Sequence, residues 1–190
     1  MSNETLLILK KTGAFLKGHF KLSSGLHSSG YIQCALALQH PEFAEKIGKS
    51  LAELFRDEKV DVVIAPAIGG IVLCQEVAKA LRVRAIFTER VPSGEMLLRR
   101  GFEIGADERV LVVEDVITTG RSTGEVIELV RKSGGIVAGC GCIVNRVSGE
   151  AAADRDTKAL VTLGMEIYDP GNCSLCEKGI PVMKPGSRNK

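Results

Sequence analysis

The segment that most restricts the fold is Arg109 to Gly124, RVLVVEDVITTGRSTG. Four consecutive apolar residues, Val110 to Val113, run straight into Glu114 and Asp115. An apolar run without polar alternation reads as a strand buried on both faces. Thr118 to Ser122 then reads as a turn, and Gly124 to Lys132 as a helix with Val126, Ile127, Leu129 and Val130 facing inward. A strand, a turn and an amphipathic helix in that order predict a parallel sheet enclosed by helices.

The same rhythm recurs along the chain. Pro41 to Glu58 carries Phe43, Ala44, Ile47, Leu51, Leu54 and Phe55 at helical spacing, with Pro41 suited to a first turn. Strands are expected at Asp61 to Pro66, Val83 to Thr88, Ile136 to Arg146 and Ala159 to Gly164, with a turn at Gly69-Gly70 and a helix to about Leu81. With the Arg109 strand these make a doubly wound, mainly parallel five-stranded α/β sheet. A chain of 190 residues, 45% apolar and lacking Trp, fits one domain spanning 1–190 with a core of Val, Ile, Leu and Ala. The first 35 residues depart from the rhythm and read as a separate cover. Glu89 to Gly105, ERVPSGEMLLRRGFEIG, is polar and lies between two strands, which suits either a solvated hairpin or a mobile flap.

A net charge of +2 supplies no basic field for nucleic acid or a membrane surface. The amino terminus has an early acid and an apolar run too short for a signal peptide, so a cytoplasmic protein is expected. The apolar stretch Val62 to Cys74 is broken by Pro66, Gly69 and Gly70 and falls short of a membrane span. Without a secretory signal, the six cysteines are read as reduced. Cys34 and Cys74 read as core, and Cys140 and Cys142, in a strand, are expected on opposite faces. Cys173-x-x-Cys176 has metal-ligand or redox spacing. A structural zinc site would want a second spaced pair, so free thiols in a loop are the favoured reading.

In a parallel sheet, ligands bind beyond the carboxyl ends of the strands, which is where Glu114 and Asp115 stand. The turn that follows leads into a helix whose first N–H groups and dipole attract anions. Gly120 permits close backbone approach, and the hydroxyls of Thr118, Thr119 and Ser122 add donors. A phosphate on the turn, beside carboxylates able to hold hydroxyls or a hydrated cation, describes a receptor for a sugar phosphate. Neither G-x-x-x-x-G-K-[ST] nor G-x-G-x-x-G occurs at the expected place, which removes the common nucleotide loops.

VLVVEDVITTGRST resembles the signature of the type I phosphoribosyltransferases, which bind 5-phosphoribosyl 1-pyrophosphate (PRPP). The resemblance implies that Glu114 and Asp115 hold the ribose hydroxyls. Val116, Ile117, Thr118, Thr119, Gly120, Arg121 and Ser122 would wrap the 5-phosphate. Ala67, Ile68, Gly69 and Gly70 match the pyrophosphate loop, and residues 89–105 the flexible catalytic flap. Gly18 to Gln33, the flap, and Cys173 to Arg188 are similar to the corresponding segments of orotate phosphoribosyltransferases, in which residues 1–40 would form a hood. Arg146 matches the family's orotate-binding arginine, a bidentate partner for a carboxylate. Tyr31 matches the aromatic that stacks on the base, and Thr118 falls beside it. Members lacking the Gly18 to Gln33 segment act on purines or xanthine, or serve as PRPP sensors. The family further implies magnesium bound through PRPP oxygens and water, without dedicated protein ligands, and a homodimer with shared active sites. Longer relatives place lysines where Gly69 and Ser23 stand here, and the flap lysine's nearest counterpart is Glu95. That leaves Arg90, Arg99 and Arg100 as flap cations, with Arg90 the catalytic candidate.

Overall fold

Residue alternation along two central strands shows why the sheet is covered on both sides. In the computed structural model, which describes residues 2–22, 25–146 and 157–184, these strands are β3 (Val62–Pro66) and β6 (Arg109–Ile117). Val62, Ile64, Val110 and Val112 enter one apolar cluster, and Val63, Ala65, Leu111 and Val113 another. Successive side chains of a strand point to opposite faces, so an unbroken apolar run feeds both cores at once.

The sheet is completed by β4 (Arg84–Arg90), β5 (Met96–Leu98), β7 (Ile136–Asn145) and β8 (Thr157–Thr162), in the order β5-β4-β3-β6-β7-β8. All neighbours are parallel except β4 and β5, which pair antiparallel from Thr88↔Leu98 to Arg90↔Met96. The five expected strands are therefore parallel, and a sixth, short strand lies within residues 89–105. The strand expected to end at Thr88 runs on to Arg90, because Glu89 and Arg90 find backbone partners in Leu97 and Met96.

Helices α3 (Pro41–Glu53) and α4 (Gly70–Leu81) cover one face, and α5 (Arg121–Lys132) the other. The first of these ends at Glu53, five residues before the expected Glu58. The chain turns there so that Phe55 lies over β7, where a Cβ at Gly139 or Gly141 would come within 2.7 or 2.8 Å of its ring. The helix α5 begins at Arg121, earlier than expected; Val126 and Val130 are fully buried, and Ile127 and Leu129 pack partly buried beside them. Cys140 and Cys142 share one cluster with Ile117, contrary to the expectation of opposite faces; residues two apart in a strand point the same way.

The amino-terminal cover is a second, antiparallel sheet. Following α1 (Ser2–Lys11), β1 (Phe15–Lys21) pairs with β2 (His27–Ile32), and β2 pairs with β9 (Ile167–Tyr168) from the other end of the chain. A short helix α2 (Ala35–Leu38) links this hood to α3, and α6 (Ser174–Glu177) follows β9. No helix among the described residues is long and apolar enough to cross a membrane.

Candidate active site

The alternation that builds the core also aims the two acids. Glu114 continues the face of Val110 and Val112 and meets α5, where the Thr123 hydroxyl donates to its Oε2. Asp115 continues the face of Leu111 and Val113 and meets the turn before α4. A Cβ at Gly69 would stand 2.9 Å from both carboxylate oxygens of Asp115, so the absence of a side chain at 69 is what admits that carboxylate. The loop Ala67-Ile68-Gly69-Gly70, which contains a cis peptide between Ala67 and Ile68, thus lies against Asp115.

Both carboxyls are costly to ionise without a ligand. Burial pushes Glu114 up to about 7, the Thr123 hydroxyl partly opposing it and the charge of Asp115 adding to it. Burial also raises Asp115, although its own N–H and that of Val116 donate to the carboxyl and offset part of the rise. Among the described residues neither acid is bonded to a lysine or arginine. Buried carboxylates in this state are suited to hydroxyl donors and to a hydrated cation.

The turn expected to receive a phosphate is shorter than the sequence suggests. Val116 and Ile117 still belong to β6 and pack into apolar clusters, leaving only their backbone for a ligand. Thr118 and Thr119 are exposed, and Gly120 caps α5 with φ +69°, a left-handed conformation that glycine takes without strain. Arg121 turns to Glu125, its Nε donating at 3.0 Å.

Arg146 lies just past the end of β7, only 6% exposed. Its Nη2 donates to Ser28 Oγ of the hood at 3.0 Å, while its Nε has no hydrogen-bond partner. Burial lowers its pKa, and among the described residues the one opposing influence is the Tyr31 phenol. Tyr31 is itself raised by burial, then by Asp115, with Arg146 acting the other way. Asp115, the loop at Gly69, Tyr31 and Arg146 therefore lie near one another beyond the strand ends, with Glu114 beside Asp115. Arg90 is not brought to it: its guanidinium binds Glu125 of α5 and the Gly94 carbonyl. Arg100 donates to Glu89 at 2.8 and 3.2 Å, and Arg99 also faces Glu89. A separate cleft of 910 Å³ lies between the hairpin at Gly94 to Leu97 and α5, and contains neither acid nor Arg146. Thr123 and Ser28 were missed in the sequence. Thr123 stands within the motif, nine residues past Glu114, whereas Ser28 carries no local signal.

A doubly wound, mainly parallel sheet with paired acids at the end of its central strand, followed by a Thr-Gly-Ser turn into a helix, is the fold of a type I phosphoribosyltransferase. The phosphoribosyl transferase domain family matches residues 37–168. The orotate phosphoribosyltransferase of Desulforamulus reducens is 52% identical over 99% of this chain and 98% of its own length. That of Pelotomaculum thermopropionicum is 54% identical over 98% and 97%. Among solved structures, orotate phosphoribosyltransferase from Aeropyrum pernix superposes with a TM-score of 0.68 at 27% identity, covering 90% of this chain and 96% of that one. The chain belongs to the orotate phosphoribosyltransferase family. Ser23 and residues 185–188, which the resemblance also touched, lie outside the described residues.

Proposed function

We propose that the protein transfers the 5-phosphoribosyl group of PRPP to N1 of orotate, giving orotidine 5′-monophosphate and pyrophosphate. The observation that carries this reading is Arg146, a buried guanidinium with an unpartnered Nε beside an aromatic ring. Burying such a group without a carboxylate is costly, and a planar base bearing a carboxylate supplies the missing acceptor. Ser28 holds one arm of the fork in place, and Tyr31 offers a ring face to the base.

Glu114 and Asp115 accept from the ribose hydroxyls and, once ionised, favour the positive charge that develops at C1 as pyrophosphate departs. The N–H groups and hydroxyls from Thr118 to Ser122 receive the 5-phosphate at the amino end of α5. The loop Ala67 to Gly70 faces the pyrophosphate. Magnesium fits this donor set, since two hard-oxygen carboxylates without basic partners suit the water shell of a hydrated cation. Bound through PRPP oxygens, it would neutralise charge on the leaving pyrophosphate. Residues 89–105 act as the flap that covers this chemistry and excludes water, with Arg90 its catalytic cation once released from Glu125. The protein works as a cytoplasmic homodimer whose flap serves the partner's site.

Orotate-dependent release of pyrophosphate, with and without magnesium, tests the reading. Turnover of orotate is the result expected. Turnover of a purine in its place would move the protein to another branch of the same family.

A further inference from the structure

Four side chains from opposite ends of the sequence converge beneath the hood, away from the acids of the candidate active site. His19 lies on β1 and His27 on β2, brought together by the register that pairs Lys21 with His27 and Phe20 with Ser28. Cys173 caps the single turn of α6 and Cys176 lies within it, preceded by the Pro170–Asn172 turn in which the Asp169 carboxylate accepts from Gly171 N–H. The two imidazole nitrogens, His19 Nε2 and His27 Nδ1, are 2.8 Å apart. Cys173 Sγ lies 3.5 Å from His19 Nε2, and Cys176 Sγ lies 3.8 Å from that atom and 3.4 Å from His27 Nδ1. All four atoms fall within 4.8 Å of one another.

From these positions we infer that His19, His27, Cys173 and Cys176 form a tetrahedral zinc site that fastens the carboxy-terminal segment to the hood. With zinc–sulfur bonds of about 2.3 Å and zinc–nitrogen bonds of about 2.0–2.1 Å, a regular tetrahedron has sulfur-to-nitrogen edges of roughly 3.6 Å. Three of the four sulfur-to-nitrogen separations, 3.4 to 3.8 Å, bracket that value, and the fourth, Cys173 to His27, falls within 4.8 Å. The two imidazole nitrogens need to part by only about half an ångström to reach the corresponding nitrogen-to-nitrogen edge of roughly 3.3 Å.

Orientation supports the same assignment. His19 Nδ1 lies 2.7 Å from the carbonyl oxygen of Ile180. A carbonyl only accepts, so Nδ1 carries the proton and Nε2 presents its lone pair to the cluster. Zinc-ligating histidines are held by this kind of bond at the far ring nitrogen. Without a metal, a proton on His27 Nδ1 would have to bridge to that lone pair, with both thiols beside it. Two thiolates and two neutral imidazoles balance the charge of Zn2+, the two thiol protons going to solvent. Soft sulfur with imidazole selects zinc over the hard-oxygen magnesium. Four protein ligands leave no open position, so the site is structural.

The cluster is well placed to order the hood. Backbone bonds from Lys21 N–H to the Met183 carbonyl and from Met183 N–H to the His19 carbonyl run beside it. Ser28, which holds Arg146, immediately follows His27. The effect on the base site rests on the function proposed above; the metal site itself does not.

The test is elemental analysis of the full-length protein, purified without chelator or metal-affinity tag, together with thiol titration. About one zinc per chain is expected, with two thiols shielded from an aromatic disulfide reagent until a chelator is added. Cobalt(II) added to the stripped protein should give the intense visible bands of a tetrahedral site with thiolate charge transfer. Cys176→Ser, at the exposed ligand, and His27→Asn should each lose stoichiometric zinc, whereas Cys74→Ala should keep it. Zinc removal should lower Tm and raise the KM for orotate more than that for PRPP. Wild-type protein that stays metal-free in added zinc would overturn the assignment, as would a Cys173–Cys176 disulfide in the isolated protein or zinc retained in both ligand variants. The zinc content, thiol, cobalt and Tm results do not depend on whether orotate is turned over; only the KM comparison does.

Discussion

At the scale of single residues, Glu114 links stability to ligand binding. Its folded value of about 7 lies above the ordinary 4.5, so the ligand-free folded chain holds a proton that the unfolded chain gives up. Stability from this group is full below pH 4.5 and declines as the pH rises toward 7. Glu114→Gln keeps an acceptor for Thr123 and removes the titration. The stability gap between wild type and variant should therefore widen in the variant's favour by about 1–3 kcal/mol from pH 5 to pH 8. Thermal melts across that range check this, and parallel curves for the two proteins would count against it. The same variant should bind PRPP more weakly, because ribose hydroxyls lose an anionic acceptor. Arg146→Ala should cost about 2–4 kcal/mol in orotate recognition, leaving a desolvated carboxylate without its partner. Steady-state kinetics would show it as a higher orotate KM with PRPP binding little changed; an unaltered KM refutes the role.

At the scale of elements, glycines set how closely layers approach. A Cβ at Gly48 of α3 would meet Glu76 Cβ of α4 at 2.5 Å and its carbonyl carbon at 2.9 Å. Gly48→Ala should thus destabilise the fold by about 1–3 kcal/mol through overpacking while leaving both KM values unchanged. A denaturant midpoint equal to that of wild type would disprove the close packing. The strands of the parallel sheet were legible because double-sided burial writes itself as uninterrupted apolar runs. Strand β5 was not: three residues, Met96 to Leu98, sit among charges and are strand only because β4 offers its edge. The acid pair and its turn were legible as contiguous sequence. Ser28's hold on Arg146 spans 118 positions, and Cys173 lies 154 from His19, distances over which no local pattern operates. A single Cys-x-x-Cys therefore looked incomplete, since its second pair of ligands came from strand register.

At the scale of the whole molecule, the cations of residues 89–105 are held by acids of their own chain, Arg90 by Glu125 and Arg100 by Glu89. If the flap serves a partner's site, a mixture of Arg90→Ala and Asp115→Asn proteins should recover activity that neither shows alone. Sedimentation should find the dimer in which it does so. Activity that merely equals the sum of the two residual rates would place flap and acids in one subunit.

The hood is sewn from both ends of the chain: β2 pairs with β9, and Phe20 bridges to Met183. The six-stranded sheet, by contrast, is complete by Thr162. During synthesis the strands of the six-stranded sheet can therefore pair before β9 has emerged. The hood must wait for β9 and Met183 to emerge, so it is the last part of this fold that the nascent chain closes.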